Sequence, residues 1–275
     1  MKYLSPIAVS LALAIIGCSA QAQEFKHQAS IGFGYTDLNG SSSDMFSVNY
    51  SYHLDKVSTD SPFALNTFLA QSSQLDVAYM TSGSNSNSAF IGGTWVSDSN
   101  WFVRGGYNAS LDHFGDMGTA NMSLGYYLST TTEIAFNYSR SDVDNGSSWN
   151  ESNYEVVRWG AHARSWFELP TTQGIDAGFE YERFEYDHQY NGNRSSSEYD
   201  SLSTYADWYL TKSLSVGLNA AYLNPDQGNS DSAYIASVDY WLPLGNTFSL
   251  QSGANVNLNS DNDVWSLYVA LTSRF

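Results

Sequence analysis

Apolar and polar residues alternate one by one along the end of the chain, residues 264–275. One parity carries the large apolar residues Trp265, Leu267, Val269, Leu271 and Phe275, and the other carries Ser266, Tyr268, Thr272 and Arg274. A period of two residues is typical of a β-strand whose two faces meet different surroundings. The end of the chain is therefore predicted to be a strand with one apolar face and one polar face.

The same alternation recurs along most of the chain, in segments of roughly ten residues that are separated by polar turns. The segments that we predict as strands are fourteen in number and comprise residues 27–37, 44–54, 74–81, 89–96, 101–111, 120–128, 133–140, 155–167, 175–186, 202–210, 214–223, 233–242, 248–258 and 264–275. Boundaries inferred from a pattern shift by about two to four residues, so twelve or sixteen strands stay open as alternatives.

The first 22 residues carry the features of an export signal. Lys2 precedes an apolar run from Ile7 to Ile16, and Ala20-Gln21-Ala22 forms a cleavage site of small residues. The predicted mature chain, residues 23–275, is one domain because no linker divides it. It contains no cysteine and hence no disulfide. An alternative interpretation of the same segment is a lipoprotein signal, which would leave Cys18 lipidated at the N-terminus.

Composition and charge narrow the class of protein. A formal net charge of −17 argues against nucleic acid as a partner, because acidic surfaces repel phosphate. The 20 Tyr, 14 Phe and 8 Trp favour strands. After the export signal, no apolar run is long enough for a membrane helix. A closed barrel is the other structure that satisfies every backbone polar group in lipid, so the sequence predicts an all-β, transmembrane, antiparallel up-and-down β-barrel.

The connections between the predicted strands alternate between short and long, as expected for a barrel with short periplasmic turns and longer outer loops. The short connections are 96–100, 129–131, 211–213 and 243–246, and the long ones are 38–43, 112–119, 141–153, 187–200 and 224–232. An even number of strands places both termini in the periplasm. The loop at residues 187–200 is rich in Tyr, Ser and acids, and an inward fold of this loop would narrow the outer mouth.

One predicted connection, residues 55–73, is irregular. Ser61-Pro62 has the form of a helix N-cap and first helical residue ahead of the apolar residues Phe63, Leu65, Phe68 and Leu69. We interpret it as a short helix at the periplasmic rim. The alternative is an over-long strand, since odd positions from Phe63 to Tyr79 also alternate.

The strand face opposite to the apolar one is dominated by Ser, Gly, Asn, Gln, Thr and ionisable residues. The predicted pore-lining residues are Asp76, Arg104, Glu133, Arg158, His162, Arg164, Asp176, Glu180, Glu182, Asp207 and Asp239. Fourteen strands spaced about 4.8 Å apart and tilted about 40° give a backbone diameter of roughly 28 Å. Because neither an apolar lumen nor a separate plug segment is evident, the sequence predicts a water-filled pore.

The predicted lumen charges are unevenly distributed. The arginines come from the fifth and eighth strands, and most acids come from the ninth to twelfth. One hypothesis is a transverse field across the pore that orients dipolar solutes, with the excess of acids favouring cations. The alternative is local pairing, in which Arg158 and Arg164 neutralise Asp176, Glu180 and Glu182 on the adjacent ninth strand.

An alternating strand that ends the chain on Phe275 resembles the terminal strand of Gram-negative outer-membrane β-barrels. The resemblance departs from the usual pattern at Ser273, where the family often has a second aromatic residue. In that family the final aromatic residue belongs to the signal recognised by the barrel-insertion machinery. The chain as a whole resembles small monomeric porins of the outer membrane. This resemblance implies passive diffusion of small hydrophilic solutes, ion transport, contact with outer-membrane lipid and lipopolysaccharide, and no cofactor.

Three alternatives to a channel are a protease, a lipid hydrolase and a non-conducting adhesion barrel. Asp112-His113 and Asp187-His188 lie near outer loops, as the catalytic groups of omptin-like proteases do, but no second aspartate pair accompanies them. A lipid hydrolase needs a histidine beside a serine, whereas His162 and Ser165 fall on opposite strand faces. A non-conducting adhesion barrel is the third alternative, and it would have a packed interior. The sequence therefore predicts a channel and not an enzyme.

Overall fold

The computed structural model describes residues 24–38, 40–83, 86–111, 116–147, 150–190, 193–259 and 264–275, and the predicted export signal lies outside them. The described chain forms one closed antiparallel barrel of fourteen strands, in which each strand pairs with its neighbours in sequence and β1 pairs with β14. The strands are β1 Glu24–Leu38, β2 Ser41–Ser58, β3 Gln74–Ser82, β4 Ser86–Val96, β5 Trp101–Ser110, β6 Asp116–Ser129, β7 Thr132–Ser147, β8 Asn150–Glu168, β9 Gly174–Tyr190, β10 Asn193–Tyr209, β11 Leu214–Pro225, β12 Asp231–Leu244, β13 Phe248–Asn257 and β14 Val264–Arg274. The predicted fold class and strand number are confirmed.

The first and last strands close the barrel. Their register runs from Gln28 opposite Arg274 to Leu38 opposite Val264. A bulge in β1 lets two successive amides, those of Lys26 and His27, donate to the carbonyl oxygen of Phe275 at 3.0 and 2.8 Å. The Phe275 ring stacks on the His27 ring with centroids 5.1 Å apart. The last residue of the chain is thus part of the seam.

The outside of the barrel is apolar. Large apolar side chains are exposed at alternate positions of the strands, such as Leu75 at 60% and Ile91 at 64%. Aromatic residues lie toward both ends of the strands, among them Trp208 at one end and Tyr222 at the other. A continuous apolar exterior of this kind is stable in a lipid bilayer and not in water. The strands therefore span a membrane.

The two ends of the barrel differ. The end that holds the termini, which we call the turn end, has connections of two to five residues at 97–100, 130–131, 169–173, 210–213 and 245–247. The opposite end, which we call the loop end, carries the hairpins between odd-numbered and following even-numbered strands. The predicted loops 141–153 and 187–200 are wrong over most of their length, because β7 to β10 continue through them. Backbone ladders need no apolar side chains, so these strands extend beyond the apolar band.

Cross-strand polar contacts support these extensions. Arg194 of β10 donates a hydrogen bond to Asp187 of β9 at 2.8 Å. This hydrogen bond raises the pKa of Arg194 above its usual value. Most of the residues in the predicted loops 141–153 and 187–200 are therefore parts of tall hairpins.

The connection between β2 and β3, residues 59–73, is the exception at the turn end. It contains a 3-10 turn at Phe63–Leu65 followed by a short helix α1 at Asn66–Ala70. The predicted helix is confirmed, although it begins at Phe63 after Pro62, one residue later than expected. Ser61 donates to the Asn66 side chain at 2.6 Å, so it caps no backbone amide by that contact. None of the helices in the described part of the chain is long and apolar enough to cross a membrane.

Close packing on the inner wall depends on glycine at Gly125 of β6. A Cβ atom there would overlap the Phe102 ring and lie 2.6 Å from the carbonyl oxygen of Ile134. Phe102 is fully buried and packs on Tyr127, with ring centroids 4.7 Å apart. The missing side chain at Gly125 therefore makes room for the Phe102 ring against the wall.

We expect Gly125→Ala to destabilise the barrel by about 1–3 kcal/mol, because the Phe102 ring or the β7 backbone must shift. The measurement is urea unfolding in detergent or lipid. Gly105→Ala is the matched control, since its nearest neighbour would be the Asn121 carbonyl oxygen at 3.7 Å. Equal stabilities for the two variants would contradict this packing argument.

Candidate functional site

The predicted pore-lining residues lie on the inner face of the barrel. Asp76, for example, lies between the exposed Leu75 and Val77, and Asp239 lies between the exposed Val238 and Tyr240. Strand alternation places the following residues on the same face: Arg104, Glu133, Arg158, His162, Arg164, Asp176, Glu180, Glu182 and Asp207. The candidate site is therefore the wall of the lumen, and its chemistry depends on which of these charges neutralise one another.

Glu133 of β7 is the centre of the first charged cluster. Its side chain is only 3% exposed. Arg104 of β5 donates to both carboxylate oxygens, at 3.0 and 2.6 Å. Nε2 of His162 lies 3.2 Å from the same carboxylate. The Arg104 guanidinium also lies over the Phe102 ring at 4.2 Å. The bidentate pair of Arg104 and Glu133 is therefore flanked by His162 and by the Phe102 ring. Because the two charges neutralise each other, the pair leaves little net charge facing the pore.

The other two predicted arginines pair between β8 and β9. Arg164 donates to Asp176 at 3.0 and 2.8 Å. Arg158 lies 3.3 Å from Glu182 and donates to the Ser139 hydroxyl at 3.1 Å. These are the contacts of the local-pairing alternative. These pairs neutralise most of the positive charge that the hypothesis of a transverse field requires on this side of the pore.

Four inner carboxylates have no ion pair with any of the described side chains: Asp76, Glu180, Asp207 and Asp239. Neutral donors reach three of them. Asp76 accepts from Ser51 at 2.6 Å and from Gln74 at 3.0 Å, Glu180 accepts from Asn137 at 3.2 Å, and Asp239 accepts from Tyr268. The lumen therefore keeps a surplus of negative charge.

Asp207 lies over a glycine. A Cβ atom at Gly217 of β11 would overlap its carboxylate. Gly217 stands opposite Asp207 on one side and Ser237 on the other, so this part of the wall is lined by small and acidic residues. The absence of a side chain at Gly217 leaves space for the Asp207 carboxylate on the inner wall.

A second feature of the lumen is the connection between β2 and β3, which we call the crossing segment (residues 59–73). Phe68 and Leu65 are buried against Trp166 of β8 and Tyr209 of β10. The Arg164 guanidinium lies 4.1 Å from the centre of the Phe68 ring. In the strand order, β8 to β10 lie across the barrel from β2 and β3. The crossing segment therefore spans the turn-end mouth.

Polar contacts attach the crossing segment at three further places. The Phe63 amide donates to the Lys212 carbonyl oxygen at 3.1 Å, in the turn between β10 and β11. Arg274 of β14 donates to the Phe63 carbonyl oxygen at 2.9 Å. Gln71 donates to the Ser129 carbonyl oxygen at the end of β6, at 2.7 Å. These contacts reach widely separated parts of the rim.

Full burial is concentrated at the turn end. Fully buried side chains near this mouth include Phe25, His53, Val57, Pro62, Leu65, Asn66 and Thr272. Arg274 lies among them, with its guanidinium 5.1 Å from the Phe25 ring and 4.9 Å from the Trp241 ring. The turn end thus has a packed core, whereas the outside of the barrel is exposed along its length.

This packed mouth shows that the prediction of a barrel without a plug segment is wrong at the turn end. Local pattern could show a helix at residues 63–70, but not that it turns inward. One signal was present: Trp166, Tyr209 and Trp241 are large aromatic residues at inward-facing positions near strand ends, on a strand face that carries many polar residues. Aromatic side chains at such positions need an apolar partner inside the barrel.

Two of the histidines considered as enzyme residues, His162 and His188, lie in the part of the chain that the structure describes. Asp112-His113 lies outside the described residues. Asp187 pairs with Arg194, whereas His188 packs near the Tyr154 ring at 6.1 Å between centroids. The Ser165 hydroxyl bonds to that of Thr132 at 2.7 Å, while His162 contacts Glu133. Among the described side chains, no three His, Cys, Asp or Glu residues form a metal-binding group.

We expect Glu133→Ala to destabilise the barrel by about 3–5 kcal/mol, because it leaves the partly buried Arg104 without its carboxylate partner. Urea unfolding measures the loss. The matched control is Glu24→Ala, which removes a carboxylate from an exposed pair with Lys56 and should change stability by no more than about 1 kcal/mol. A loss for Glu133→Ala as small as for the control would contradict the role of this cluster.

Comparison with known proteins shows the fold. No family model matches the chain, and no curated relative matches it in sequence. The outer membrane protein Omp33 of Acinetobacter baumannii has 16% identity and a TM-score of 0.59, over 93% of this chain and 100% of that one. A loop L8 deletion mutant of OmpT, an outer membrane protein of Vibrio cholerae, has 8% identity and a TM-score of 0.51, over 90% and 98%. The chain has the fold of these outer-membrane β-barrels.

Proposed function

We propose that this protein is an outer-membrane channel through which small hydrophilic solutes pass by passive diffusion, with cations preferred. The observation that carries the proposal is the inner wall, where four carboxylates have no ion pair with any described side chain while each predicted arginine is paired. In this proposal the turn end faces the periplasm and the loop end faces the outside, as in porin-like barrels.

The width of the barrel supports passage of water and small solutes. Fourteen strands enclose a backbone diameter of roughly 28 Å, which side chains only partly fill. Carboxylates without a paired cation require water around them, because an isolated charge in a dry interior is costly. Because Asp76, Glu180, Asp207 and Asp239 have no ion pair with a described side chain, water solvates them in this proposal.

The sign of the surplus charge supports cation preference. The acids outnumber the arginines on the inner wall, and three of the acids are consumed by pairing. A narrow aqueous space between low-dielectric walls focuses the field of the remaining carboxylates. Cations are then enriched in the pore and anions are depleted.

The outside of the barrel supports the proposed partners. Its apolar residues face outer-membrane lipid, and a band of charged residues lies above them near the loop end. Arg140 there contacts Asp142 and Glu155, each at 3.2 Å. We propose that this band meets lipopolysaccharide head groups. We also propose that Phe275 is recognised by the barrel-insertion machinery before it closes the seam.

The test is the reversal potential of the refolded mature chain in a planar bilayer under a salt gradient. We expect a cation-shifted value for the unmodified protein. The double variant Asp207→Asn with Asp239→Asn should lower that shift by about half, because it removes two of the four unpaired carboxylates.

Asp142→Asn with Glu155→Gln is the matched control. It removes the same amount of negative charge from the outside of the barrel and should leave the reversal potential nearly unchanged. Anion preference in the unmodified protein would contradict cation selectivity, as would an unchanged value for the double variant. A barrel that inserts in the bilayer and conducts neither as the unmodified chain nor as any variant would contradict the channel itself.

A further inference from the structure

We propose that the crossing segment is a gate at the turn end of the pore, closed in this structure and opened by release of its aromatic side chains from the opposite wall. This inference rests on the proposed channel function. It makes the turn-end mouth, and not an outer loop, the place where passage is controlled.

The length of the segment is the first argument. β2 and β3 are adjacent antiparallel strands, and the other adjacent pairs at the turn end are joined by two to five residues. The connection at residues 59–73 is therefore much longer than is needed to join two adjacent strands. The extra length carries the chain across the mouth to β8, β10, β12 and β14.

Two aromatic contacts seat the segment. Phe68 lies between the Arg164 guanidinium and the rings of Trp166 and Tyr209. The centroid of the Phe63 ring lies 6.2 Å from the centroid of the Trp241 ring. The same centroid lies 5.8 Å from the guanidinium carbon of Arg274. Each contact joins the segment to strands other than β2 and β3, which it connects. The seated position therefore depends on this packing across the pore together with the three hydrogen bonds of Phe63 and Gln71 to the rim.

The backbone attachment is much weaker than that of a strand. The strand ladders of the barrel close without any residue of the crossing segment. The backbone bond from Phe63 to Lys212 connects the segment to the far rim, whereas every strand has a ladder of backbone hydrogen bonds to a neighbour on each side. The segment can thus leave its seat while the barrel stays closed and fully hydrogen-bonded.

The segment has a defined end and space beside it. Helix α1 stops at Gln71, which has a left-handed backbone at φ 48°, and Ser72 then lies 3.3 Å from the buried His53 ring. On the other side, a cavity of about 640 Å³ lies between the segment and the turns 210–213 and 245–247. Asp60, Lys212 and Arg274 line it. Residues 60–70 therefore have room to move as a unit.

Arg164 contacts both the proposed gate and a carboxylate of the inner wall. Arg164 pairs with Asp176 on the inner wall and supports the Phe68 ring on its face. Release of Phe68 exposes this arginine pair to the pore without breaking it. The opening of the mouth is thus separate from the carboxylates that set cation preference.

The experiment compares single-channel currents of the refolded mature chain with those of two variants. In one variant, residues 60–72 are replaced by a short Gly-Ser turn. The other is Phe68→Ala, which removes the ring from Arg164, Trp166 and Tyr209. We expect the replacement to raise the unit conductance several-fold, and Phe68→Ala to raise the open fraction at least about tenfold with an unchanged reversal potential.

Phe167→Ala is the matched control, because Phe167 is 54% exposed on the lipid-facing side next to Trp166. It should conduct like the unmodified chain. Migration on unheated gels checks that each barrel is folded, and Phe68→Ala tests the gate if the replacement variant does not fold. Unit conductance and open fraction equal to those of the unmodified chain would overturn the gate and leave the channel standing. No current from any of the four folded proteins would overturn the channel proposal itself.

Discussion

Every backbone amide and carbonyl in the lipid core must find a partner within the protein, and this requirement governs the whole structure. An open sheet fails it at both edges. The seam between β1 and β14 removes those edges, and the doubled hydrogen bond to the Phe275 carbonyl oxygen completes it at the turn end. Once the ring is closed, residues of one parity meet lipid and residues of the other enclose a space. The apolar outside and the charged lumen both follow from that closure.

The enclosed space is organised in two layers with different physics. In one layer, the arginines pair with carboxylates on nearby strands, and four further acids have no ion pair with a described side chain. In the layer at the turn end, aromatic residues exclude water and pack as a soluble core does. Arg164 belongs to both, because it pairs with Asp176 and lies under the Phe68 ring.

The energy that seats the crossing segment is modest. Full burial of a side chain such as Leu65 or Phe68 contributes about 1.5–3 kcal/mol, and a cation–π contact contributes about 0.5–2 kcal/mol. Local openings of proteins cover the same range of free energy. A side-chain-seated segment on a hydrogen-bonded barrel is thus suited to move while the barrel does not.

The sequence by itself determined the barrel, because alternation with a period of two reports which surroundings each residue meets. Asp207 and Asp239 were predicted to face inward from the parity of their neighbours alone. Tertiary structure decided what alternation cannot report. Strands β7 to β10 continue through residues interpreted as loops, since paired backbones need no apolar side chains. Trp166, Tyr209 and Trp241 gained their partner only when closure brought the opposite wall within reach of Phe63 and Phe68, far away in sequence.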